Sequence, residues 1–267
     1  MRSENINSSA AGAWLVEWPS RLRAMADLIC FPGAGMGASI FLPWRVELPA
    51  FAAVHICQLP ARENRIDITA VASLGAAADA VTASYLATNS RVRPLVLFGH
   101  SMGGVLAFET TRRLEKKGRQ PYAVVISAST PTSESGVNAD LDLHAIGELL
   151  IAYDPGKQTL ISNEELFASL ASTLRDDLLM LRRHSVKPRS TRLATCAYLL
   201  SGDADRMVPK ELVARWAAYF RGPVFHRSFT GGHFFPVRES QADVVTFLAN
   251  LLHESIKDRV AKTRQTR

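Results

Sequence analysis

The sequence predicts an α/β fold with a mainly parallel central sheet flanked by helices. Three observations carry that expectation. Short apolar runs recur along the chain, each is continuous in hydrophobicity and does not alternate, and helical patterns lie between them. The 267 residues suit one domain spanning 1–267, with ample material for a core. A composition 47% hydrophobic and 21% charged excludes a disordered or collagen-like chain. No apolar run approaches the roughly 18–20 residues that a membrane span needs.

The elements follow in order. Residues 27–31 (DLICF), 54–59 (VHICQL), 95–98 (LVLF), 123–127 (AVVIS) and 197–201 (AYLLS) read as strands buried on both faces. Residues 69–88 form an Ala-rich helical pattern with Val71, Leu74, Ala78, Val81 and Leu86 near one face. Residues 102–117 follow a strand directly and stop at Lys116-Lys117-Gly118, where basic residues and a glycine suit a helix end. The alternation breaks from about 131 to 192, where no strand is expected and helical segments rich in Leu and Ile occur. Ser162-Asn163-Glu164-Glu165 offers a capping-box start, and Leu166, Leu170, Leu174, Leu178 and Leu181 recur at helical spacing. An insertion at such a place is expected to act as a helical lid over a site.

Charge and cysteine usage narrow the function classes. The net charge is +6, but residues 257–267 (KDRVAKTRQTR) hold +4 of it, which leaves a nearly neutral body and a tail expected to be frayed and flexible. That distribution argues against a nucleic-acid-binding surface. Cys30, Cys57 and Cys196 lie in or beside apolar runs without CxxC spacing, so they read as reduced thiols and not as a metal site or disulfide framework. Residues 1–14 lack a continuous apolar stretch, so no secretory signal is expected and the protein is placed in the cytoplasm.

The strongest local signal is Gly99-His100-Ser101-Met102-Gly103, with Gly104 after it. It follows an apolar run and precedes a helix, which is the strand–turn–helix setting of the nucleophile elbow of α/β-hydrolases. Glycines two residues either side of the nucleophile remove side chains that a sharp turn would bring into collision. A serine hydroxyl needs a base, and the base needs a third group to orient it; in this fold they follow in the order Ser, acid, His. The 197–201 run ends in Gly202-Asp203-Ala204-Asp205, and the run 224–229 ends in Thr230-Gly231-Gly232-His233. His233 is therefore the candidate base, and Asp203 and Asp205 both qualify as the acid. His55, His144, His184, His226 and His253 fall in strands or helices away from the elbow, and His100 is expected to point away from the hydroxyl. An oxyanion hole takes one N–H from Met102, after the nucleophile, and a second from the glycine-rich loop Phe31-Pro32-Gly33-Ala34-Gly35-Met36-Gly37. That loop lacks G-x-G-x-x-G spacing and the acidic residue of a dinucleotide site.

Taken in order, these segments resemble the type II (external, editing) thioesterases of nonribosomal peptide and polyketide synthesis over about residues 26–250. The resemblance rests on the 31–35 and 98–104 segments, Gln58-Leu59-Pro60-Ala61-Arg62-Glu63, Ala107-Phe108-Glu109 and Leu174-Arg175-Asp176-Asp177. Gly202-x-x-Asp205-x-x-Val208, Trp216 and Gly231-Gly232-His233-Phe234-Phe235 complete it. It implies Asp205 as the triad acid over Asp203, and Ala34 and Met102 as the oxyanion donors. Three positions depart from the family pattern: Ala61 and Met36 stand where glycine is usual, and Ala197 where proline is usual.

The resemblance implies a helical lid between the sixth and seventh strands and hydrolysis of acyl thioesters without a metal or redox cofactor. Ser101 attacks, His233 moves the proton and Asp205 holds the imidazole. The implied substrate rides on the phosphopantetheine arm of an acyl or peptidyl carrier protein. Arg182, Arg183, Lys187, Arg189 and Arg192 cluster as either a docking face for an acidic carrier domain or a plain solvated face, and a monomer is expected as the working form. A carboxylester hydrolase or an acyltransferase on the same fold is the nearest alternative; a noncatalytic acyl-binding shell would be expected to lack a triad member.

Overall fold

The computed structural model describes residues 14–89, 92–131, 164–185 and 192–265. Seven strands form one sheet: β1 (Leu15–Trp18), β2 (Ala26–Phe31), β3 (Ala52–Cys57), β4 (Leu95–His100), β5 (Ala123–Ser127), β6 (Cys196–Gly202) and β7 (Val224–Phe229). Their order is β1-β3-β2-β4-β5-β6-β7. Only β1 is antiparallel, pairing Leu15 with Cys57, and all other neighbours run parallel. Each of the five apolar runs lies within or across one of β2 to β6, and every residue of β2, β3, β4 and β5 is buried. The strand absent from the sequence reading is β1. Its four residues sit at the sheet edge with Glu17 exposed, too short a stretch to show a period of two.

Four long helices flank the sheet: α1 (Leu74–Thr88), α2 (Met102–Lys116), α3 (Glu164–Arg183) and α4 (Gln241–Gln265). Helix α1 begins at Leu74 and not at 69, because the Ser73 side chain accepts the Ala76 N–H and caps it there. Helix α2 ends where expected, with Gly118 at φ 70° just beyond it. Buried side chains form two layers, one on each face of the sheet. Leu174, Leu178 and Leu181 of α3 join the first layer.

One expectation is corrected. Residues 257–265 are not a frayed tail but the last turns of α4, with every side chain exposed. The segment contains no Gly or Pro, Lys257 pairs with Glu254 one turn back, and Lys262 and Arg264 favour the negative end of the helix. The insertion falls between β5 and β6, the fifth and sixth of the described strands. Within it the described residues include α3, whereas Ser162, Asn163, Lys187, Arg189 and His144 lie outside the described residues. The cysteines are free thiols, Cys30 and Cys57 buried in the sheet and Cys196 partly so. Among the described residues, no helix is long and apolar enough to cross a membrane.

Candidate active site

Strand β4 delivers Ser101 to the carboxyl edge of the sheet, where the chain turns sharply into α2. Ser101 takes φ 55° and ψ −123°, a conformation rare for a residue with a Cβ. Its N–H donates to Ser127 O at 2.8 Å, and its carbonyl accepts the Gly104 N–H at 2.9 Å, so both sides of the turn are tied. The flanking glycines are sterically required. A Cβ on Gly99 would lie 2.1 Å from Gly103 O, and one on Gly103 would lie 2.1 Å from Phe31 O and 2.5 Å from Pro32 O. The second contact goes beyond what spacing alone indicates: Gly103 lets the loop after β2 pack directly on the elbow.

The loops after β6 and β7 bring the acid and base to the same edge. A Cβ on Gly202 would meet Gly231 O at 2.5 Å, so the two loops touch backbone to backbone. His233 Nε2 lies 3.1 Å from Ser101 Oγ, and His233 Nδ1 lies 2.9 Å from Asp205 Oδ2. A carboxylate only accepts, so Nδ1–H donates to Asp205 and Nε2 is free to accept the hydroxyl proton. Asp205 Oδ1 accepts the N–H groups of Met207 and Val208, each at 2.9 Å, which fixes the carboxylate from its other side. The Gly-x-x-Asp-x-x-Val pattern thus has a local cause: the turn following the aspartate holds it. Asp203 has a different task, accepting the Gly231 N–H at 2.9 Å and shaping the histidine loop. His233 and Asp205 are both buried.

The glycine-rich loop lies alongside. A Cβ on Gly33 would sit 3.4 Å from Ser101 Cβ and 3.6 Å from His100 O, so Ala34 follows directly on the residue that flanks the nucleophile. Met102 opens α2, and its N–H belongs to the unpaired first turn of that helix. Beyond the loop is a cavity of about 430 Å³, lined among others by Gly35, Met36, Ile40, Ala61, Ile66 and Leu170. Ala61 holds φ 61°, a left-handed conformation that explains why glycine is usual in the segment it belongs to.

Several residues near the site escaped the sequence reading. His100 is buried with its ring centroid 5.0 Å from that of His233, and Nδ1 is 3.4 Å from Ser127 Oγ. Burial, reinforced by His233, holds His100 well below the ordinary histidine range, so it stays neutral beside His233. Alternation along β4 gives no sign of this neighbour, which comes from a loop 133 positions later. Glu109 was quoted in a motif without a role; in the structure it binds Arg112, Arg113 and His184, joining α2 to the end of α3. His184, His226 and His253 are remote from Ser101's partners: His184 meets Glu109, His226 lies in β7 and His253 packs on Phe51. His55 is buried in β3 between Glu17 and Asp27.

Comparison with known proteins agrees with this geometry. A family model described as the thioesterase domain matches residues 26–252. A Streptomyces griseus protein named probable cadicidin biosynthesis thioesterase is 34% identical over 247 residues, covering 91% of this chain and 67% of its own length. The solved structure of YbtT, a type II thioesterase from the yersiniabactin NRPS/PKS pathway, superposes with a TM-score of 0.82 at 27% identity, over 91% of this chain and 100% of that one. RedJ, a thioesterase from the prodiginine pathway of Streptomyces coelicolor, gives 0.76 at 28% identity over 85% and 86%. With the sheet order, the elbow and these likenesses together, the chain belongs to the thioesterase domain family, as an α/β-hydrolase that acts on acyl thioesters.

Proposed function

We propose that this protein releases acyl and aminoacyl groups from the phosphopantetheine arms of carrier proteins, clearing stalled or mis-primed chains from a nonribosomal peptide or polyketide synthase. The observation that carries the reading is the continuous path Ser101 Oγ–His233–Asp205, at 3.1 and 2.9 Å, on a strained elbow in a thioesterase fold.

Ser101 Oγ adds to the thioester carbonyl as His233 Nε2 accepts its proton. The Ala34 and Met102 N–H groups receive the negative charge that develops on the carbonyl oxygen. The C–S bond breaks, and imidazolium protonates the leaving thiol. Water, deprotonated by the same nitrogen, then attacks the acyl-serine; as its C–O bond breaks, imidazolium returns the proton to Ser101 Oγ and the free acid leaves. Asp205 keeps Nδ1 protonated and stabilises the imidazolium. Helix α3 of the insertion, packed against the site loops, serves as part of a lid, and the exposed Arg182, Arg183 and Arg192 contribute to a face that receives an acidic carrier protein. The enzyme works as a monomer in the cytoplasm, where such synthases operate.

A test compares rates on an acyl-carrier thioester and on the p-nitrophenyl ester of the same acid. A strong preference for the carrier thioester is expected. Equal or greater turnover of the oxygen ester would assign the site to a carboxylester hydrolase.

A further inference from the structure

Helix α3 of the insertion sends two polar side chains, Thr173 and Asp177, one turn apart into the loops beside the nucleophile. Thr173 Oγ1 donates to Ala61 O at 3.0 Å. Asp177 accepts a two-pronged pair from Arg62, Nη1 to Oδ2 at 2.6 Å and Nη2 to Oδ1 at 2.8 Å. Both side chains are buried, 3% and 7% exposed. The same Asp177 Oδ2 accepts the Gly35 N–H at 2.8 Å. Arg62 spends its remaining reach on the backbone, donating to Met36 O at 3.1 Å and to Pro60 O at 3.2 Å. Gly35 has φ 70°, and a Cβ there would meet Leu174 Cβ at 3.1 Å, so the loop lies flush against α3.

This arrangement calls for an explanation beyond stability. A buried ion pair costs several kcal/mol of desolvation per ion, and apolar residues of similar volume often serve the fold as well. What an apolar pair cannot do is hold a backbone N–H and a carbonyl of the 33–37 loop at once. Within the loop itself a turn bond, Met36 N–H to Gly33 O at 3.2 Å, closes around Ala34 and Gly35. The Gly33 carbonyl shares its peptide plane with the Ala34 N–H, so this turn bond sets that donor's direction, and fixing the Gly35 N–H on Asp177 and the Met36 carbonyl on Arg62 anchors the turn on its following side.

We propose that Asp177 is a positioning residue for the oxyanion hole: through the Gly35 N–H and through Arg62 it sets the orientation in which Ala34 offers its N–H to the carbonyl oxygen at Ser101. The inference rests on the roles proposed above for Ser101 and Ala34. It makes α3 part of the catalytic frame as well as part of a cover.

The test uses the full chain in three variants: Asp177→Ala, Asp177→Asn, and the double variant Arg62→Met/Asp177→Leu, which replaces the ion pair by apolar bulk. For each, kcat per titrated active site and KM are measured on an acyl-carrier thioester. The inhibition constant of an acyl trifluoromethyl ketone, whose tetrahedral adduct needs the oxyanion donors, and the Tm are measured beside them. The expected result is a fall in kcat of about 10- to 100-fold with KM within about twofold, and a matching rise in the ketone constant. The double variant should show this while keeping a wild-type Tm, and Asp177→Asn, which retains an oxygen for Gly35, should recover part of the loss. Unchanged kcat per active site and unchanged ketone affinity, whatever happens to Tm, would overturn the proposal. If instead wild type fails to release the acyl group, or Ser101→Ala releases it as fast, the underlying reading fails and this one with it. That outcome is visible before any Asp177 variant is made.

Discussion

Ser101 is held at φ 55°, against the preference of any residue with a side chain, by the backbone bonds to Ser127 and Gly104 and by contacts that only glycine allows at 99 and 103. Gly103→Ala places a methyl group 2.1 Å from Phe31 O, an overlap between two backbones that no rotamer relieves. The expected outcome is loss of thioesterase activity with a drop in Tm, measured by thermal melt, corresponding to several kcal/mol. Ala61 is the opposite case. At φ 61° an alanine carries about 1 kcal/mol or more of left-handed strain. Ala61→Gly removes it and returns part as unfolded-chain entropy, so a net gain of roughly 0.5 kcal/mol is expected as a raised Tm; a lowered Tm would contradict the strain argument. The candidate triad was legible because its pattern is local: glycines around Ser101, a turn after Asp205, two glycines before His233. The packing of His100 on His233 was not legible, because a strand residue's neighbour from a distant loop leaves no trace in the strand itself.

Helices α2 and α3 are coupled through Glu109, which is 1% exposed and gathers His184, Arg112 and Arg113. Burial pushes its carboxyl upward, but hydrogen bonds from His184 and Arg112 and the charges around it prevail, holding it at about 2. A carboxyl depressed in the folded state stabilises the fold above its unfolded value, here the ordinary 4.5, and that contribution drains away as pH falls toward about 2. Wild type should therefore lose up to roughly 3 kcal/mol from this group between about pH 4.5 and 2. Glu109→Gln should be less stable at pH 7 and show a flatter decline over the same window in denaturant titrations. Parallel declines would assign acid sensitivity elsewhere. Nothing in the spacing of Ala107-Phe108-Glu109 reveals this coupling, because its partner His184 lies 75 positions on, near the end of the insertion. Helix α3 itself was legible from its leucines, whereas its polar face, with Thr173 and Asp177, acquires meaning only where it meets the loops.

Across the whole molecule, the fold was legible because parallel strands covered on both faces write themselves as uninterrupted apolar runs. The exposed edge strand β1 does not write itself so clearly, and its antiparallel pairing with β3 came from the structure. The end of the C-terminal helix is less legible for a related reason: its charge density resembles that of a frayed terminus, although the segment has good helix formers and no breaker. Residues 257–265 of that helix are all exposed, and Tyr122 donates an exposed hydrogen bond to Asp258. Ending the chain at Ile256 should therefore shift Tm by no more than about 2 °C, since little apolar area is lost. A larger drop would show that the extension stabilises the domain.

Three loops from distant parts of the chain meet at one sheet edge around Ser101. The most direct test is intact-mass spectrometry of acetyl- and longer acyl-carrier protein incubated with wild type and with Ser101→Ala. Wild type should return free holo-carrier protein, with the variant slowed by at least about 1,000-fold. Release by the variant at a wild-type rate, or none by wild type while simple esters are cleaved, would contradict this assignment.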